Sequence, residues 1–171
     1  IAIPLQSYLE ETDPRLKLWA MCDSVELLLR LLVFIGIADL AHPNGKPPQT
    51  LRAKLRKPIE RPTLGGWANM AEAVAKTQKD QTDSLVPELT PLVQRTLLPL
   101  LDGDGERSTE RTSLIYLRNF LAHAGGVTRA LAETLLAAWR EPFERAMETL
   151  AWLGELELVV QGSDGYGCLR G

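Results

Sequence analysis

Arg118, Asn119 and His123 lie within one short stretch, Leu114 to His123, and His123 is one of two histidines in the chain. These side chains suit phosphodiester chemistry. A guanidinium is a permanent cation whose planar fork of donors matches a phosphate. An imidazole can take or give a proton near neutral pH. An amide can orient either partner through its donor and acceptor ends. The stretch reads as a helix that stops at Gly125-Gly126, because glycine ends a helix more readily than it continues one.

At about 100° per residue, Leu114, Tyr116, Leu117, Phe120 and Leu121 share one broad face, which is expected to enter the core. Arg118, Asn119 and His123 fall on the other, among Ala122 and Ile115, and are expected to project away from the core. Ala122 is small enough to let another surface approach. Arg118 and His123 are five positions apart, roughly 140° around the helix. From a single regular helix they cannot both aim at one small substrate. A second copy of the helix, packed on the first, would gather two arginines and two histidines in one cleft.

These residues and their spacing resemble the HEPN superfamily, whose signature is Arg, a polar residue directly after it, and His a few positions on. Arg118, Asn119 and His123 match that signature over about six residues. The resemblance implies an all-α, HEPN-like bundle of helices that forms a homodimer. It implies a metal-independent endoribonuclease with a composite site at the dimer interface and no cofactor. RNA then supplies the nucleophile, its 2′-hydroxyl, and His123 moves the proton. Arg118 neutralises the developing charge, Asn119 positions the phosphate, and the product ends in a 2′,3′-cyclic phosphate. The family's settings imply a toxin–antitoxin or phage-defence role, with further domains or an antitoxin as partner. An alternative is a non-catalytic dimerisation or sensing module of a larger protein. A third reading is an unrelated helical domain in which the motif is accidental.

Several elements must position these residues. Pro4 to Glu11 reads as a short helix, and Asp13-Pro14 starts a second that runs to about Ala41. This second helix is apolar almost all round and is expected at the centre of the fold. One polar stripe interrupts it: Arg15, Asp23, Glu26 and Arg30. Asp23 or Glu26 is a possible supporting residue that reaches the Arg118 patch; otherwise the stripe is solvated surface. Gln49 to Lys57 reads as a short basic helix in which Arg52, Lys54, Arg56 and Lys57 are possible RNA-binding residues. Such runs are more often plain solvated faces.

Thr63 is expected to cap a helix from Leu64 to about Lys79. Leu85 to Leu101 should be helical but bent by Pro87, Pro91 and Pro99. The motif helix is expected from Glu106, capped by Ser108 or Thr109, and Thr128 should cap a last helix to about Leu153, bent or split at Pro142. Leu156 to Gln161 and the turn Ser163-Asp164-Gly165 suggest a small closing β-hairpin. The sum is an all-α bundle of about five to seven helices.

Composition narrows the functions. At 171 residues, the chain reads as one domain, residues 1–171. It starts at Ile1 rather than Met and ends in glycine-rich sequence, so it is expected to be part of a longer protein. A net charge of −3 gives no global basic field, so any RNA contact must come from local patches. Cys22 and Cys168 with two histidines make no zinc pattern, and Asp102-Gly103-Asp104-Gly105 lacks the spacing of a calcium loop. No metal site is expected. The cysteine usage fits a reducing cytoplasm. The uncharged run Leu31 to Ala38 is too short to span a bilayer.

Overall fold

The computed structural model describes residues 2–42, 45–60, 62–102, 113–123, 126–156, 158–162 and 165–169, with the backbone alone for Lys57 and for the segments after 156. The fold is an all-α bundle: α1 (Ala2–Glu10), α2 (Pro14–Ala41), α3 (Gln49–Glu60), α4 (Leu64–Gln78), a continuous run made of α5 (Leu89–Pro91), a π-helical stretch (Leu92–Leu97) and α6 (Leu98–Asp102), then α7 (Leu114–His123) and α8 (Arg129–Glu148). A 3-10 turn, Ala151–Glu155, leads to the antiparallel hairpin β1 (Leu158–Gly162) and β2 (Gly165–Leu169), in which Gly162 pairs with Gly165. The hairpin's expected turn residues, Ser163 and Asp164, lie outside the described residues.

α2 is the axis. Asp13 caps it by accepting from the Arg15 amide at 2.9 Å, with Pro14 in the first turn. The helix packs against α1, α4, α7 and α8, and Leu18, Met21, Val25, Leu28, Leu29 and Leu32 are sealed from solvent. A helix apolar on several faces has nowhere else to go. Cys22 is a buried free thiol, and burial pushes its pKa up to about 12. No described helix is long and apolar enough to cross a membrane.

α2 and α4 approach closely at Gly36. A Cβ there would lie 2.2 Å from Val74 Cγ1 and 3.2 Å from Leu89 Cδ1. Alanine is the better helix former by about 1 kcal/mol, but the stiff Val74 side chain cannot turn aside. Forcing a methyl into such a contact costs about 1–3 kcal/mol. Gly36→Ala should therefore melt below the wild type, and Gly36→Ala combined with Val74→Ala should recover part of the loss. A single variant as stable as the wild type would show that the two helices can part at no cost.

α1 is tied down through Tyr8, whose hydroxyl donates to Glu144 of α8 at 3.1 Å and whose ring meets Phe143 edge-on at 4.7 Å. Burial, then Glu144, raises the Tyr8 pKa. α8 is capped by Thr128, which accepts from the Leu131 amide at 3.3 Å, and it runs on through Pro142 without splitting. It ends at Glu148, before the expected Leu153. Its core-facing residues are Ala132, Leu136, Trp139, Phe143 and Ala146. Leu131 and Ala138, although apolar, are exposed.

One helical run starts later than its composition suggests. The run expected from Leu85 begins at Leu89, because the preceding loop is bound to a buried carboxylate. Asp39 of α2 accepts from the Leu85 amide at 2.7 Å, from Ser84 Oγ at 2.9 Å and from Gln78 Nε2 at 2.6 Å. Gln78 Oε1 in turn accepts from Thr90 at 2.8 Å. The run then widens into a π-helix, with Leu98 N donating to Val93 O. Pro99 explains the widening: it offers no N–H to the Arg95 carbonyl and its ring crowds that carbonyl. The motif helix α7 begins at Leu114, where Ser113 Oγ accepts from the Tyr116 amide at 3.0 Å. The expected start at Glu106 and the caps Ser108 and Thr109 lie outside the described residues.

Candidate functional site

α7 lies against α2, α4 and α6. Leu114 and Leu117 are buried, Tyr116, Phe120 and Leu121 are half-buried, and the Tyr116 and Phe120 rings stack at 6.3 Å. Ile115 faces Gly65 in the first turn of α4. Asn119, Ala122 and His123 are exposed, as the helical periodicity requires. His123 stands in the last turn, where a cationic imidazole would complement the helix dipole.

Arg118 departs from the expected projection into solvent. It is half-buried, and its guanidinium lies over the Trp19 ring of α2, 5.5 Å from the ring centre. The cause is the neighbour. α2 runs beside α7 and brings an indole face within reach of a long side chain. The negative face of the ring attracts a cation, and a guanidinium gives up water more readily than an ammonium does. Arg118 Nε is closed off from solvent and has no hydrogen-bond partner among the described residues.

On α2, Trp19, Asp23, Glu26 and Arg30 follow one another at four-, three- and four-residue steps, which places them along one helix face. Asp23 is exposed at the residue level. Partial desolvation raises its pKa first and the Glu26 charge adds to this, while Arg118 and Arg30 pull it down. Asp23 and Arg118 thus act on each other through space. Glu26 is committed elsewhere: it is ion-paired with Arg30, which lies over the Trp67 ring at 5.4 Å. Of the two supporting candidates, Asp23 is the one without an ion-pair partner among the described residues. Arg15 leaves the stripe altogether, turning back to Asp13 at 2.7 Å and holding that carboxyl well below the usual range.

The basic helix α3 buries Leu51 and Leu55 and leaves Arg52, Lys54 and Arg56 exposed. The Lys57 side chain lies outside the described residues. Arg56 is 3.7 Å from Glu60. α3 packs along α4, and α4 in turn touches α7, so the positive run sits on the helix next to the one that supports the motif helix. Among the described residues, no group of three or more His, Cys, Asp or Glu is placed to hold a metal ion.

Sequence reasoning missed Trp19. Its only signal was its place one turn before Asp23 on the polar stripe, and an aromatic in an apolar helix reads as core. Compared with protein-family models, curated proteins and solved structures, the chain matches no family model, no curated protein and no solved structure.

Proposed function

We propose that this chain is a metal-independent endoribonuclease domain of the HEPN type, acting in the cytoplasm as a homodimer in a toxin or phage-defence system. The observation that carries the reading is the display of Asn119 and His123 on the open side of α7, with Arg118 beside them stacked on Trp19. His123 is free to exchange a proton with the 2′-hydroxyl or the leaving 5′-oxygen. Arg118 offers charge to the phosphate as it gains a bond. One protomer supplies a single Arg–His pair about 140° apart on its helix, so the second pair comes from the other copy, α7 against α7. The exposed Ala122 allows the close approach. Arg52, Lys54 and Arg56 on α3 guide the RNA backbone toward the groove.

The test joins a mass measurement in solution with an RNA cleavage assay in EDTA. The expected result is a dimer that cuts single-stranded RNA and leaves 2′,3′-cyclic phosphate ends. A monomer with no cleavage would defeat the proposal. A dimer that cuts nothing would favour the second reading, a non-catalytic dimerisation or sensing module. One observation favours that reading: the Arg118 guanidinium is already engaged within its own protomer.

A further inference from the structure

We propose that Trp19 is the positioning residue of Arg118, and that it fixes which edge of the guanidinium meets an RNA phosphate. The inference rests on the nuclease reading above. A guanidinium has two kinds of bidentate edge: one uses Nε with a terminal nitrogen, the other uses the two terminal nitrogens. In Arg118 the Nε atom is shut off from solvent and has no partner among the described residues. The side-on edge is therefore closed to a substrate. The residue as a whole is only half-buried, and of its guanidinium nitrogens Nε alone is among the buried unpartnered atoms, which leaves the terminal edge to grip a phosphate. Trp19 lies under the guanidinium at 5.5 Å, so part of the rotamer freedom of a long side chain is surrendered before RNA arrives.

The protein contains an internal comparison. Arg30 is built in the same way, lying over Trp67 at 5.4 Å with a buried Nε that has no partner among the described residues. Its terminal nitrogen is taken by Glu26. Among the described residues, no carboxylate is hydrogen-bonded to Arg118; Asp23 acts on it only through space. Of the two stacked arginines, Arg118 is the one whose terminal edge remains available.

The experiment uses the full chain in EDTA and compares Trp19→Leu and Trp19→Phe on a short RNA with one cleavage site. Misplacing a group that acts in the transition state lowers turnover more than binding. Trp19→Leu should therefore lose about 10- to 100-fold in kcat, with KM changed by less than about threefold. Trp19→Phe keeps an aromatic face and should return to within about fivefold of the wild type. A folded Trp19→Leu protein with wild-type turnover would overturn the proposal. If that variant fails to fold, Trp19→Met takes its place. The emission of Trp19, isolated as the difference between wild type and Trp19→Phe, should change in Arg118→Ala. If it does not, the stack is absent and the proposal fails whatever the RNA result. A wild-type chain that cuts no RNA while this emission responds would instead bring down the nuclease reading, and the stack would stand as a packing contact alone.

Discussion

His123→Ala should abolish RNA cleavage and leave the fold intact. The imidazole is exposed in the last turn of α7, so its removal opens no cavity and breaks no buried contact. Surface substitutions of this kind fall within about 0.5 kcal/mol of neutral. The loss of a positioned proton carrier is worth about 10²–10⁴-fold in rate, which would bring the reaction to background in an ordinary gel assay. Arg118→Ala should match it in activity, since one lost charge-stabilising donor costs about 10²–10³-fold. The two variants should differ in stability. Arg118 also holds the contact with Trp19, and a partly desolvated cation–π contact contributes about 0.5–2 kcal/mol. Cleavage of a defined RNA in EDTA, beside thermal melts of all three proteins, reads both effects. Activity that survives in purified His123→Ala would remove the imidazole from the mechanism, and with it the proposed chemistry.

The largest loss of stability is expected at a residue far from the motif. Asp39 is 5 % exposed and satisfies the Leu85 amide, the Ser84 hydroxyl and the Gln78 amide at once. Asp39→Ala leaves the Leu85 amide and the Ser84 hydroxyl without an acceptor, while Gln78 Nε2 keeps Ser84 Oγ and the Val86 carbonyl, and it releases the loop that leads into α5. Each abandoned buried donor costs about 1–3 kcal/mol, and the network loses more than any single pair. A total near 3 kcal/mol is expected even if water recovers some bonds, which for a chain of this size lowers the melting temperature by roughly 6–12 °C. Asp39→Asn keeps one acceptor oxygen and should fall between. A melting temperature unchanged in Asp39→Ala would mean that the loop is not held by this carboxylate.

The parts of the fold that were legible are those in which local chemistry and burial agree. Asp13-Pro14 and the apolar length that follows defined α2 from Pro14 to Ala41. Thr63 and Thr128 marked the starts of α4 and α8 as helix caps. The parts that were not legible depend on a partner distant in sequence. The late start of α5 follows from Asp39, a charge inside an apolar run whose loop partners stand 45 and 46 positions further on. On α8, too, packing decides which apolar residues are covered: Ala132 and Leu136 are buried, while Leu131 and Ala138 stay exposed.

The candidate site divides in the same way. Helical periodicity placed Asn119 and His123 on the open face, but it could not tell that Arg118 would bend toward α2. That depends on Trp19, about a hundred residues earlier. The distinction between Asp23 and Glu26 was equally hidden, because it follows from the pairing of Glu26 with Arg30.

The motif helix is ten residues long, and the two residues it buries fully, Leu114 and Leu117, lie in its first half. The half that carries Asn119 and His123 has no such anchor. Local opening is cheapest where few apolar groups are buried, so the amides at the His123 end should exchange with solvent earlier than those of α2. That end can then move without disturbing the bundle behind it.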